Sequence, residues 1–86
     1  MKITKINNTS AGQFTISTTT GDYQVEMNRD VNDLSDEILT VTTPSELEFN
    51  YSLTNGDLSG QADEDFMEIL TANPEFMKSL KDNAAK

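Results

Sequence analysis

Apolar and polar residues alternate in three segments of this chain, and that alternation constrains its fold more than any other feature. Two of the segments follow one another closely, with Phe14 and Ile16 in residues 13–19 and Tyr23, Val25 and Met27 in residues 23–28. Successive side chains of a strand point to opposite faces of a sheet, so each segment predicts a strand with one buried face. Gly21-Asp22 between them is typical of a hairpin turn.

The same reasoning extends the sheet in both directions. Residues 2–7 form a short strand candidate, and residues 39–43 are rich in β-branched side chains. The most regular alternation places Leu47, Phe49, Tyr51 and Leu53 on one face, and Asn55-Gly56 ends that strand. The sequence therefore predicts about five antiparallel strands.

The C-terminal third changes to a helical period. Phe66, Ile69 and Leu70 form one face of a helix over residues 62–71. Asn73-Pro74 then predicts a second helix, with Asn as N-cap and Pro at the first helical position; the alternative is one helix broken at Pro74. An antiparallel sheet followed by two short C-terminal helices belongs to the α+β class.

Residues 28–38 also fit a helical period. Val31, Leu34 and Ile38 fall within an arc of roughly 60° on a helical wheel, which predicts a short helical turn at residues 30–37, capped by Asn28 or Asp30. On that wheel Asp30, Asp33 and Glu37 form an acidic ridge beside the apolar one, with Asp36 next to it.

Length and composition limit the possible functions. A chain of 86 residues forms one domain, here expected to span residues 1–86, with a core too small to enclose a deep active site as well. Because the chain has neither histidine nor cysteine, it lacks the commonest general base and transition-metal ligand and any thiol nucleophile. We expect no enzymatic activity, cofactor or bound metal.

Charge is distributed unevenly along the chain. No lysine occurs between Lys5 and Lys78, and residues 22–68 hold thirteen carboxylates against Arg29 alone, a net charge of −12. Carboxylates often serve only to keep a small protein in solution, but such surfaces usually mix both signs. A field of a single sign favours a function in binding.

The best candidates for partner binding are the carboxylates that local structure explains least. In the predicted ridge only one side chain can cap a helix, and Glu64 and Glu68 are like charges one helical turn apart, which costs a few tenths of a kcal/mol. Asp22, Glu26, Glu46 and Glu48 are strand-face acids that extend this surface. The predicted partner-binding residues are Asp30, Asp33, Asp36, Glu37, Glu64 and Glu68.

Calcium binding is an alternative use of clustered oxygen ligands. Residues 55–63 place oxygen-bearing side chains at positions 1, 3, 5 and 9 of the EF-hand spacing and glycine at position 6. Position 12 is Phe66 instead of the required bidentate glutamate, and the preceding element is a predicted strand. These departures from the pattern favour an ordinary polar loop.

The N-terminus has no apolar run of the length that a secretory signal needs, and no window approaches a membrane span, so we expect a cytoplasmic protein that contacts no membrane. In size, acidity and lack of catalytic residues the chain is similar to small phage-encoded inhibitors, including anti-CRISPR and anti-restriction proteins that imitate DNA. That resemblance rests on composition alone, and it would place the protein in the host cell cytoplasm.

Together these features predict a stoichiometric inhibitor that binds a larger protein in its basic, nucleic-acid-binding groove. Direct nucleic-acid binding is opposed by the sign of the charge. The alternative is a structural or assembly subunit, such as a small virion component, that binds through its sheet or its C-terminal helices. The sequence does not determine the oligomeric state.

Overall fold

The computed structural model of the chain describes residues 1–29 and 37–84. Within them, six strands form one antiparallel sheet in which neighbours in sequence are neighbours in space, in the order β1-β2-β3-β4-β5-β6. The strands are β1 (Ile3–Ser10), β2 (Gln13–Thr18), β3 (Gly21–Arg29), β4 (Glu37–Thr42), β5 (Glu48–Ser52) and β6 (Leu58–Gly60).

Two helices follow the sheet, and each begins at a side-chain cap. In α1 (Glu64–Thr71) the backbone N–H of Phe66 donates to Asp63 Oδ1 at 3.0 Å. In α2 (Pro74–Ala84) the N–H of Phe76 donates to Asn73 Oδ1 at 2.9 Å, as the Asn73-Pro74 signal predicts. Within the described residues, neither helix has the length and apolar character needed to cross a membrane.

Both helices pack on one face of the sheet and bury its alternating apolar side chains. The Phe14 and Phe76 rings meet edge to face with centroids 5.3 Å apart, which places α2 against β2. The Tyr23 and Phe66 rings stack at 3.8 Å, which places α1 against β3. The sheet's other face has no helix over it among the described residues, and its side chains are mostly polar.

The α+β class is confirmed, and the sheet has six strands where about five were predicted. The extra strand, β6, has only three residues and no alternation. The hairpin turn between β2 and β3 lies at residues 19–20, two positions earlier than predicted. There the Thr18 hydroxyl donates to the Gly21 carbonyl at 2.7 Å, and Gly21 itself pairs with Thr18 at the start of β3.

The helical turn predicted at residues 30–37 is wrong at Glu37, and its proposed cap, Asn28, is also in a strand. Glu37 begins β4 and pairs with Arg29, while Asn28 pairs with Ile38, so a backbone ladder takes up the groups that a helix would use. Residues 30–36, which carry Asp30, Asp33 and Asp36, lie outside the described part of the chain.

Leu47 also departs from its prediction. It precedes the first pair of β5, Thr42 with Glu48, and follows Glu46, whose φ of 67° is uncommon for a residue other than glycine. Its side chain is therefore 47% exposed instead of buried with Phe49.

Candidate functional site

The charged residues are unevenly distributed along the sequence, and the order of the strands makes their distribution across the sheet uneven as well. Because the strand order follows the chain order, Lys2 and Lys5 lie at the β1 edge, and β2 has no charged residue. The carboxylates begin at Asp22 in β3 and continue through β4, β5 and their connections. One flank of the sheet is thus acidic and the other mildly basic.

The helices reinforce this separation. The helix α1, packed against β3, presents Glu64, Asp65 and Glu68 to solvent. The helix α2, packed against β2, is neutral, with Lys78 and Lys81 balancing Glu75 and Asp82. We call the part of the molecule formed by β3 to β6 and α1 the acidic flank. Of the thirteen carboxylates in residues 22–68, ten lie within the described residues, all of them on this flank or its connections.

A groove of about 910 Å³ opens at one end of the acidic flank. In a meander alternate connections lie at the same end, so the β2–β3 turn, the β4–β5 loop and the β6–α1 connection meet here. They contribute Thr20, Tyr23, Thr43, Pro44, Ser45, Leu47 and residues 60–65. The groove therefore combines the exposed Leu47 side chain with the carboxylates of Asp63, Glu64 and Asp65.

Asp63 joins this end of the sheet to α1. Besides capping the helix through Oδ1, it accepts a hydrogen bond at Oδ2 from the hydroxyl of Tyr23, whose side chain is buried. Burial, together with the hydrogen bond and the charge of Asp63, raises the pKa of Tyr23 to about 12. Both oxygens of Asp63 thus have protein partners, so its role is structural.

The open face of the sheet is a second polar surface on the same flank. The Thr15 hydroxyl donates to Gln24 Oε1 at 2.8 Å. Asn28 Nδ2 donates to the Thr40 hydroxyl at 3.1 Å, and that hydroxyl donates to Asn50 Oδ1 at 2.9 Å. Asp22, Glu26 and Glu48 lie among these groups with exposed side chains.

The structure brings together some of the predicted partner-binding residues and separates others. Glu64 and Glu68 are both exposed on α1, and Glu64 lines the groove. Glu37 is half-buried at the far end of β4, six residues from the groove residue Thr43, or about 20 Å along an extended strand. Asp30, Asp33 and Asp36 lie outside the described residues.

The calcium alternative gains no support from the geometry. Among residues 1–29 and 37–84, no group of three or more carboxylates is arranged to hold a metal ion. In the segment 55–63, Asn55 Oδ1 accepts from the Asp57 N–H at 3.0 Å, residues 58–60 form β6, and the Asp63 oxygens are taken.

Sequence reasoning missed the two features that shape the groove. The Tyr23–Asp63 hydrogen bond joins residues 40 positions apart, whereas the alternation predicts only that Tyr23 lies on the buried face of its strand. The exposure of Leu47 depends on where the β5 ladder begins. The only available signal was the side-chain oxygen of Asp63 just before an apolar helical pattern, which is typical of an N-cap.

Comparisons with known proteins leave the site to be interpreted from its own chemistry. No protein-family model matches the chain, and searches of curated proteins and of solved structures find no significant match.

Proposed function

We propose that this protein is a non-enzymatic inhibitor that binds a larger protein by placing its acidic flank in a basic groove that normally holds nucleic acid. Phage-type anti-defence proteins, directed at CRISPR or restriction enzymes, are the functional class that this activity would fit. The observation that carries the proposal is the separation of charge. Ten described carboxylates lie on β3 to β6, α1 and their connections, whereas the lysines of the described residues lie on β1 and α2 or beside them, where Glu75 and Asp82 are the accompanying acids.

The size of the molecule supports this proposal. Its longest dimension is 35 Å, and duplex DNA carries one phosphate charge per ~1.7 Å of axis, or about 20 over that length. About half of them face any one side. The ten described carboxylates of residues 22–68 are of the same order in number, and they are divided between the open face of the sheet, α1 on the other face and the connecting loops.

The proposal also explains why lysines are not interspersed among these acids. A positive charge within the flank would repel the arginines and lysines that line a phosphate-binding groove. A flank whose acids greatly outnumber its one base within the described residues, Arg29 at the end of β3, instead steers the two proteins together, so association is fast and sensitive to salt.

Affinity capture from a bacterial lysate tests the proposal, with the immobilised protein as bait and the lysate treated with nuclease to remove nucleic-acid bridges; the nuclease is washed away before duplex DNA is added. The expected result is a retained protein that duplex DNA displaces at about 0.15 M salt. A retained protein that resists both excess DNA and about 0.5 M salt, at which exposed charge pairs are heavily screened, would instead favour an assembly subunit bound by apolar contacts.

A further inference from the structure

We propose that the open face of the sheet is the docking surface of the acidic flank, and that Asp22, Glu26 and Glu48 receive arginine and lysine side chains of the partner's groove. This inference rests on the proposed function and specifies where on the flank the partner binds. It differs from the expectation that the α1 pair Glu64 and Glu68 makes the contact.

Register places these three carboxylates at the corners of a triangle. Gln24, Thr42 and Glu48 form one row across β3, β4 and β5. Asp22 and Glu26 precede and follow Gln24 by two residues, so all three acids point to the same face.

The spacing of the triangle follows from sheet dimensions. Two strand spacings of about 4.8 Å and a two-residue offset of about 6.8 Å put the Glu48 Cα atom about 12 Å from those of Asp22 and Glu26. Asp22 and Glu26 are themselves about 13–14 Å apart along β3. These separations are close to the width of the major groove of B-DNA, ~12 Å, whose edges are rows of phosphates.

The surface between the carboxylates suits cationic side chains. A depression of about 290 Å³ lies between Glu26 and Glu48 and is lined by Gln24, Thr40 and Thr42 among others. At ~30 Å³ for each water molecule it has the volume of roughly ten waters, which leaves room for the charged end of an arginine side chain. Hydroxyl and amide oxygens on its walls can accept hydrogen bonds from a guanidinium group.

The face is also organised before any partner arrives. The hydrogen bonds from Thr15 to Gln24 and from Asn28 through Thr40 to Asn50 hold these side chains across four strands. Binding therefore costs less side-chain entropy than ordering free side chains would. Lys5, in the row of Ser17 and Asp22, lies at the β1 edge and bounds the acidic part of the face.

Three carboxylates at the N-terminus of α1 are less available for this role. Asp63 is held by Tyr23 and by the helix N-terminus. Glu64 and Asp65 lie in the first turn of α1, where the helix dipole offsets part of their negative charge.

Two triple variants with equal charge test the proposal. D22N/E26Q/E48Q neutralises the open face and E64Q/D65N/E68Q neutralises α1, so each removes three negative charges from exposed positions. The probe is a nona-arginine peptide, titrated at about 50 mM salt into each ¹⁵N-labelled protein while amide shifts and Kd are followed by NMR. Thermal melts followed by circular dichroism verify that both variants fold.

In the wild-type protein, the expected amide shifts centre on residues 22–26, 40–42 and 48–50. The open-face variant should raise Kd on the order of tenfold, whereas the α1 variant should raise it less than threefold. Equal losses in the two variants, a larger loss in the α1 variant, or shifts centred on residues 60–68 would each overturn the proposal. These outcomes leave the proposed function intact, because it fails separately if DNA displaces no captured protein.

Discussion

Replacing Asp63 by alanine should destabilise the fold more than the loss of a helix cap alone. The carboxylate accepts hydrogen bonds from the Phe66 N–H and from the Tyr23 hydroxyl, so the substitution leaves both donors without their acceptor. It tests whether α1 is fixed to the sheet chiefly through this side chain.

The magnitude is the sum of two losses. An N-cap replaced by alanine costs about 1 kcal/mol. The Tyr23 side chain is only 4% exposed, and a buried hydroxyl left without a partner costs about 1–3 kcal/mol. The expected decrease in the free energy of unfolding is therefore about 2–4 kcal/mol, a large part of the roughly 4–13 kcal/mol typical of a domain this size.

Urea unfolding followed by circular dichroism measures this loss. Asn73→Ala is the matched control, because the Asn73 side chain caps α2 through the hydrogen bond that its Oδ1 accepts from the Phe76 N–H. It should cost about 1 kcal/mol. Asp63→Asn, which keeps a capping oxygen, should cost less than Asp63→Ala.

A double-mutant cycle with Tyr23→Phe isolates the second loss. In the Tyr23→Phe background Asp63→Ala should cost only the cap, about 1 kcal/mol, which gives a coupling energy of about 1–3 kcal/mol. The reasoning is refuted if the coupling energy is near zero, or if Asp63→Ala costs no more than Asn73→Ala.

Three further predictions concern pH, backbone geometry and salt. Because burial and Asp63 raise the pKa of Tyr23 from about 10 to about 12, the contribution of the Tyr23 hydroxyl to stability should be full below pH 10 and lost as pH rises towards 12. In thermal melts across that range, the Tyr23→Phe variant should not show this decrease in stability. Gly60→Ala should cost about 2 kcal/mol or more in urea unfolding, since φ at Gly60 is +88° and an added Cβ would lie 3.0 Å from the Glu48 carbonyl oxygen. Gly56→Ala should cost about 1 kcal/mol, because φ is +78° but the atom nearest to an added Cβ is 3.9 Å away. Equal costs would contradict this account. Raising NaCl from about 10 mM to 0.5 M should raise Tm by on the order of 5 °C, because salt screens the repulsion within a chain of net charge −9, and an unchanged Tm would mean that the charges are dispersed.

The sheet could be predicted wherever alternation and local turn chemistry agree. Phe14 and Ile16, then Tyr23 and Val25, alternate and are buried as expected. Asn73-Pro74 starts α2 because both residues act through their immediate neighbours. Local signals of this kind are fully contained in the sequence.

The errors arise where long-range pairing decides the outcome. Ile38 fits a helical wheel with Val31 and Leu34, but its backbone pairs with Asn28 and Ser52 in the sheet. Leu58 lies in β6 because its backbone pairs with that of Tyr51 in β5.

The sign of the charge at the candidate site could be predicted from the sequence, whereas the arrangement of its residues could be predicted only in part. The charge of residues 22–68 predicted an acidic surface, and the meander preserves that order in space. Which acids share a face depends on register: Glu26 and Glu48 lie on the same face on either side of β4. Glu37 and Glu64, both predicted as contacts, lie near opposite ends of the sheet.

The central claim is that this protein and nucleic acid compete for the same groove on the partner. Fluorescence anisotropy tests it directly, with the captured partner first loaded with a labelled duplex DNA and then titrated with this protein at about 0.15 M salt. We predict that the anisotropy falls to that of free DNA, with an inhibition constant equal to the directly measured Kd. An anisotropy that stays constant or rises, because a ternary complex forms, would contradict the account.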